Sequence, residues 1–203
     1  RDLSRDAGGV FPPLMITKQE VFQGVYGAWR LVLGDRSAMA LFDDSVSGFW
    51  KSFFAAVIVF PIYALLIIMG VIEFETSRSV PAVILLNIQF YIIGWVLWPL
   101  IVGHIVPALD CDEKYALYIV AYNWANVIGA FLFFLTITAS AILPLSASFS
   151  ALLTGAVTIG LLTYHVFITR VALDIPLGGA IGLTICEFVI GQMILIVQQG
   201  VLM

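Results

Sequence analysis

The sequence predicts an all-α integral membrane protein with five transmembrane helices and an N-terminal amphipathic helix at the membrane interface. Of its 203 residues, 62% are hydrophobic and 11% are charged, whereas an ordinary soluble domain has about 45 to 50% apolar and about 25% charged residues. The mean hydropathy is +1.07. So few charged side chains could not cover the surface of a water-soluble globule, which excludes soluble enzyme folds.

Five apolar stretches are long enough to cross a hydrocarbon layer about 30 Å thick, which needs roughly 20 helical residues. The predicted spans are 49–72, 80–106, 115–143, 149–169 and 175–197. The connections between them are short, which is typical of antiparallel neighbours in one bundle. No change of composition divides these stretches. Residues 49–203 are therefore expected to form a single membrane domain.

Residues 17–48 are predicted to form a cytoplasmic amphipathic segment ahead of the first span. Thr17 and Glu20 have the spacing of a capping box at a helix start, and Gly34 is placed to end that helix. Its apolar face comprises Val21, Phe22, Val25, Tyr26, Trp29, Val32 and Leu33. Two placements are equally open: a helix lying in the membrane interface, or a helix packed on the bundle. Residues 1–16 are predicted to be a flexible tail, or, for 1–14, a stretch upstream of the natural start.

The distribution of Lys and Arg predicts the orientation, because cytoplasmic loops carry an excess of positive residues. If the N-terminus is cytoplasmic, only Arg78 lies on the opposite side. The other basic residues are then cytoplasmic: Arg1, Arg5, Lys18, Arg30, Arg36, Lys51, Lys114 and Arg170. The C-terminus is expected on the far side of the membrane. The net charge of -4 and the lack of a basic run argue against nucleic acid as a partner.

Glu187 is the strongest candidate for a functional residue, since it is the only acidic residue deep in any predicted span. One interpretation is a proton or cation site. The other, which we favour from the sequence, is a protonated carboxyl that donates a hydrogen bond to a neighbouring helix. No Lys or Arg lies at matching depth in another span, and burial in a low dielectric favours the neutral acid.

Further polar residues predict a pocket open to the cytoplasm. Asn123 and Asn126 lie three apart in the third span, and His104 and His165 lie near the cytoplasmic ends of the second and fourth spans. Together with Glu187 they could relay protons, or simply form a satisfied polar patch between helices. Their spacing gives no metal-binding motif, although a haem held between the two histidines is geometrically conceivable. We expect no catalytic, cofactor or metal site, and no enzymatic activity.

Small residues spaced four apart predict close helix packing in spans three to five. The residues are Ala125 and Gly129 in the third span, Ala156 and Gly160 in the fourth, and Gly178 and Gly182 in the fifth. Aromatic residues near the span ends are expected to form interfacial belts. These are Trp50, Trp95, Trp98, Tyr115 and Tyr118.

The order of these features resembles the bacterial branch of the Yip membrane-protein family over residues 17–200. The third span opens with Tyr115-Ala-Leu-Tyr-Ile-Val-Ala-Tyr-Asn-Trp, and Tyr164 shortly precedes Arg170 in the fourth. Eukaryotic members have an Asp-Leu-Tyr-Gly-Pro stretch and associate with Rab GTPases; here only Val25-Tyr26-Gly27 is similar, so a Rab association is not expected. The resemblance implies a five-span topology in the bacterial inner membrane, with a periplasmic C-terminus.

The sequence therefore predicts a non-enzymatic scaffold or accessory component of the membrane. Its expected partners are membrane lipids and other membrane proteins, or a second copy of itself. The alternative is a subunit of a transporter or channel for a small molecule, a proton or an ion. In that alternative, Glu187 lines the pathway with Asn123, Asn126 and His165.

Overall fold

The computed structural model describes residues 16–68 and 78–203, and these form seven α-helices with no strand among them. The helices are α1 (Lys18–Val32), α2 (Val46–Ser52), α3 (Phe54–Ile68), α4 (Val80–Ile105), α5 (Tyr115–Ile142), α6 (Ala147–Leu173) and α7 (Leu177–Leu202). Short 3-10 segments occupy Arg36–Leu41, Val106–Leu109 and Asp112–Lys114. The all-helical fold agrees with the prediction.

Within these described ranges, five helical segments are long and apolar enough to cross a membrane, as predicted. Helices α2 and α3 together make the first segment, Val46–Ile68, and each of the helices α4 to α7 belongs to one of the others. The last helix continues to Leu202, so Gln198 lies inside a helix and not in a terminal tail. The predicted tail up to residue 15 and the predicted end of the first span at residue 72 lie outside the described residues.

The first span begins with a short helix that is held by serine side chains. The Ser45 hydroxyl accepts the Gly48 N–H at 3.1 Å, which caps α2. At the other end of α2, the Ser52 hydroxyl donates to the Phe49 carbonyl at 2.7 Å and competes there with the helical backbone pattern. The chain therefore passes from α2 to α3 through a local break at Phe53.

Helix α5 is the centre of the bundle. It contacts α1, α2, α3 and α6, and every residue from Tyr118 to Ala125 is buried. This stretch includes the polar groups of Tyr118, Tyr122 and Asn123, which the hydrocarbon layer would leave unsatisfied, and this favours a central position for α5. From Phe131 onward most α5 residues are half-buried or exposed. The bundle is therefore tightly packed at the end that α1 covers and looser at the other end.

Helix α1 packs against α5 and α6 through its smallest residues. Its N-terminus has the expected capping box between Thr17 and Glu20, and Gly34, with a φ of 78°, follows its C-terminus. The buried residues are Gly24, Gly27, Ala28 and Leu31. The Tyr164 hydroxyl of α6 adds a hydrogen bond to the Ala28 carbonyl at 2.7 Å.

The aromatic side of α1 points away from the bundle. Phe22, Tyr26 and Trp29 are exposed, with Phe22 at 69%. Of the two placements that the sequence left open, α1 packs on the bundle, but these three aromatic residues of its predicted apolar face take no part in that contact. The reason is steric: the Trp124 indole of α5 lies directly on the Gly24 backbone, and only the glycine side of α1 leaves room for it.

Ion pairs fix the segment around α1 to the rest of the chain. Lys51 contacts Glu20 at 2.6 Å, and this hydrogen bond is the main reason why the pKa of Glu20 falls to about 2. Arg30 pairs with Asp35, whose pKa is lowered first by the Ser37 hydrogen bond and then by Arg30. These pairs connect α1 to the first span and to the turn that follows α1.

Replacing Gly24 by Val should displace α1 from α5, because a Cβ at this position meets the Trp124 ring. We expect the free energy of unfolding to fall by about 1 to 3 kcal/mol, the usual cost of overpacking, and Lys18 and Arg30 to become sensitive to trypsin. The control is Gly160→Val, the same change at a helical glycine with nothing within 4 Å of its Cβ position. Equal stability and protease resistance of the two variants would contradict this packing.

The predicted packing of small residues holds for only part of the set. Ala125 is fully buried, and a Cβ on Gly129 would lie 3.6 Å from Leu161 of α6. By contrast, Ala156, Gly160, Gly178 and Gly182 are exposed, and nothing lies within 4 Å of the Cβ position of those three glycines. For contacts within the described chain the prediction is wrong at these four residues, because α6 and α7 turn other faces toward each other.

Candidate functional site

A wide-open cavity of about 830 Å³ lies along the looser part of the bundle and is lined by residues of α3, α4, α5, α6 and α7. Apolar and aromatic side chains make up most of its wall. The aromatic ones are Tyr63, Phe90, Tyr91, Trp95, Trp98, Tyr122, Phe133 and Phe188. Such a mixture of an apolar wall with a few polar groups is typical of small-molecule sites.

The cavity opens toward the side of the bundle. Gly94, Phe188, Gln192 and Leu195 line it and are also exposed. These residues lie far from the ends of α4 and α7. In a bilayer, a molecule entering through this opening would come from the hydrocarbon layer.

One end of the cavity carries a histidine–carboxylate pair. The Nδ1 atom of His165 on α6 lies 3.0 Å from Oε1 and 3.2 Å from Oε2 of Glu187 on α7. Their side chains are 12% and 15% exposed, so both are largely removed from solvent. The Tyr122 ring lies edge-on to the imidazole, with 5.4 Å between ring centroids.

The partner of Glu187 on the neighbouring helix is His165, one of the residues that the sequence grouped with it, and not a Lys or Arg. Helices α6 and α7 are consecutive and antiparallel, and His165 lies eight residues before the end of α6 while Glu187 lies ten residues after the start of α7. The two side chains therefore reach the same depth. The short connection between the fourth and fifth spans makes them an antiparallel hairpin, and counting residues from that connection could have identified the pair.

The other end of the cavity has a cluster of uncharged polar side chains. The Asn87 side-chain carbonyl accepts a hydrogen bond from the Tyr63 hydroxyl at 3.1 Å and from the Gln198 amide at 3.0 Å. Asn87 also donates to the Val83 carbonyl of its own helix at 2.8 Å. The cluster thus ties α3, α4 and α7 together. It was not predicted, because Gln198 was placed beyond the last span.

The two polar ends are connected by one face of α7. Glu187 and Gln198 are eleven residues apart, which is close to three helical turns and about 16 Å along the axis. Gln192 of α7 and Thr154 and Thr158 of α6 also line the cavity, and Thr158 donates its hydroxyl proton to the Thr154 carbonyl of its own helix. The middle of the cavity is therefore apolar apart from these uncharged polar groups.

The two predicted asparagines have different environments. Asn126 lines the cavity together with His165 and Glu187. Asn123 is fully buried elsewhere and donates to the Ser52 hydroxyl at 2.8 Å, while its side-chain carbonyl has no partner among the described residues. Since α5 is surrounded on all sides, a separation of three residues is enough to turn the two amides toward different neighbours.

His104 does not belong to the site either. It is exposed, and its Nδ1 contacts the Leu100 carbonyl of its own helix at 2.7 Å. A haem between His104 and His165 therefore has no support from their positions. Two of the predicted belt residues are also placed differently: Trp98 and Tyr118 are buried, and the indole N–H of Trp98 donates to the Tyr118 hydroxyl at 2.9 Å.

The chemistry available at the site follows from this set of side chains. Among the residues that the structure describes, no group of three or more His, Cys, Asp or Glu converges as metal ligands would. The His165–Glu187 pair can hold a proton, release it, or balance a positive charge. The polar amides at the far end can donate and accept hydrogen bonds but cannot titrate.

The cavity, with its two polar ends and its lateral opening, is the geometric feature from which a function has to be argued. Its residues come from five helices, and none of them forms a sequence motif. The chain matches no protein-family model, no curated protein and no solved structure.

Proposed function

We propose that this protein is a non-enzymatic accessory component of the membrane, which takes a lipid-sized amphiphilic molecule from the bilayer into its cavity. The observation that carries the proposal is the cavity itself, whose volume of about 830 Å³ falls in the range of roughly 300 to 1,000 Å³ that small-molecule sites occupy. The apolar middle suits a hydrocarbon or aromatic body. The polar ends suit the polar groups of an amphiphile.

Filling the cavity should reduce the amount of amphiphile that the protein retains. Gly94 and Gly191 both line the cavity, and nothing lies within 4 Å of the Cβ position of either. Gly94→Leu and Gly191→Leu should therefore fold normally and place a side chain in the space of the ligand. We expect lipid or other amphiphile bound per protein, measured by mass spectrometry after mild detergent extraction, to fall several-fold.

Gly160→Leu is the matched control for this experiment. Gly160 has equally open surroundings, but it does not line the cavity. This variant should retain as much amphiphile as the unmodified protein. If all three variants retain the same amount, or if the unmodified protein retains none, the cavity does not have the proposed role.

We further propose that the protein lies in the bacterial inner membrane as a member of the bacterial branch of the Yip family. The support is the order of its segments and the eight-to-one distribution of Lys and Arg. The exposed aromatic face of α1, with Phe22, Tyr26 and Trp29, suits the cytoplasmic membrane interface. The exposed faces of the spans suit lipid, other membrane proteins or a second copy of the chain as partners.

Topology reporters test this orientation. A reporter fused after Met203 should be active in the periplasm, and one inserted near Asp112 should be active in the cytoplasm. The reason is that five spans place the C-terminus opposite to the basic N-terminal segment. Alkaline phosphatase and green fluorescent protein fusions measure the two sides, and the opposite pattern would overturn the orientation.

A transporter or channel subunit is the alternative function, and the His165–Glu187 pair is the observation that favours it. This alternative uses Asn126, which lines the same cavity, but not Asn123, which is bonded to Ser52 elsewhere. Both functions share the binding step. They differ in whether the bound molecule or a proton leaves on the other side of the membrane.

A further inference from the structure

We propose that the cavity selects lipophilic organic cations, with the Glu187 carboxylate as their counter-charge. This inference rests on the proposed function, since it requires that the cavity takes a ligand, and it adds the charge of that ligand. It is argued from the charges that line the cavity, from the aromatic wall and from the protonation of the His165–Glu187 pair.

The charges around the cavity favour a cation over an anion. Among the described residues that line the cavity, Glu187 and His165 are the charged or basic ones, and none is Lys, Arg or Asp. An anionic group such as a phosphate would meet the carboxylate with only His165 as a basic partner, and that histidine is already paired with Glu187. An organic cation meets a carboxylate in a largely desolvated setting, where opposite charges attract far more strongly than in water.

The aromatic wall next to the pair suits the same ligand. Tyr122 lies against the His165 ring, and Trp95, Trp98 and Phe188 line the same cavity. The faces of aromatic rings attract cations, most strongly when both are desolvated, and they also pack well against an aromatic or aliphatic body. A cation whose charge is surrounded by its own apolar groups can be accommodated both by this aromatic wall and by a bilayer.

The histidine links binding of the cation to a proton. With one proton shared between His165 and Glu187, the pair has no net charge; when the cation enters, that proton leaves to water and the carboxylate faces the cation. Total charge is conserved in this exchange. The other titratable groups that interact with Glu187 are Tyr118 and Tyr122 of α5. Tyr63 of α3 and Tyr91 of α4 line the same cavity farther away, and Cys186 is the neighbour of Glu187 on α7. A phenol is neutral near pH 7, so the pair controls the charge of the cavity.

Two probes of nearly the same size and opposite charge test the selection. Tetraphenylphosphonium and tetraphenylborate are titrated into the purified full-length protein in detergent, with binding followed by calorimetry. Tetraphenylphosphonium should bind more tightly, and its affinity should rise with pH by up to about tenfold per unit while the pair still holds its proton. Glu187→Gln keeps a hydrogen bond to His165 but cannot carry the charge, so this variant should bind tetraphenylphosphonium at least about tenfold more weakly and with no such rise.

The outcomes separate this inference from the proposed function. Equal binding of the two probes, or equal binding of tetraphenylphosphonium by Glu187→Gln, overturns the cation selection and leaves an apolar binding cavity in place. No binding of either probe also overturns it. The proposed function is tested independently, by the amount of lipid that the Gly94→Leu and Gly160→Leu variants retain. Unchanged thermal stability and an unchanged elution volume on size exclusion show that Glu187→Gln is folded.

Discussion

Replacing Glu187 by Leu is expected to lower the free energy of unfolding by about 3 kcal/mol. The substitution leaves the His165 imidazole, which is 12% exposed, without its partner at 3.0 Å. Removing one member of a buried pair costs about 3 to 5 kcal/mol in general, and the lower value applies here because histidine can lose its proton. Unfolding in a detergent series measures the change.

The double variant Glu187→Leu/His165→Leu is the control for this prediction. When both polar groups are replaced by apolar ones, no buried group is left unpaired, so the double variant should lie within about 1 kcal/mol of the unmodified protein. The two single substitutions would then be strongly coupled. If their effects on stability simply add, the two side chains do not form the contact that the structure shows.

The second large effect is expected at the far end of the cavity. Asn87→Leu removes the acceptor that Tyr63 and Gln198 share, and both donors then lie in a largely apolar setting. A hydrogen bond between membrane helices contributes about 0.6 kcal/mol on average and up to about 1.7. With two such bonds lost, we expect a decrease of about 2 kcal/mol in the free energy of unfolding.

Gln89→Leu is the matched control on the same helix. Gln89 is also an amide in α4, but its side chain is exposed, whereas Asn87 is 4% exposed. The control should change stability by less than about 0.5 kcal/mol. Equal losses for the two variants would mean that the shared acceptor does not hold α3, α4 and α7 together.

The fold could be predicted in outline because hydropathy and length determine it. A stretch of about 20 apolar residues has few alternatives to a spanning helix, since the hydrocarbon layer cannot satisfy an open backbone. Helix starts were predictable where a side chain caps them, as at Thr17. The bounds were less predictable: the first span begins at Val46 instead of residue 49, because Ser45 caps it.

The candidate site could be predicted only in part, because the sequence shows that a polar residue is in a span but not which neighbour it faces. Glu187, His165 and Asn126 were identified and lie together. Asn123 and His104 were identified too, but their faces point elsewhere. The rotation of each helix about its own axis decides which neighbour a polar side chain faces. In spans that are apolar on all sides, no amphipathic pattern reveals this rotation.

The packing of α1 shows a different limit. Its apolar pattern left open whether the aromatic face contacts the bundle, and the buried side includes Gly24, Gly27 and Ala28. Glycine and alanine carry little weight in a hydrophobicity pattern, although they allow the closest approach of two helices. The position of Trp124 on the neighbouring helix is the information that the α1 sequence alone does not contain.

Under the proposed function, the lateral opening of the cavity changes what an affinity means for this protein. A ligand that enters beside Gly94 and Leu195 would be drawn from the bilayer, so the site would respond to the mole fraction of ligand among the lipids and not to its molarity in water. Adding empty vesicles at constant total ligand dilutes that mole fraction and empties the site. A compound that partitions strongly into membranes can therefore saturate the protein at an aqueous concentration far below its intrinsic dissociation constant.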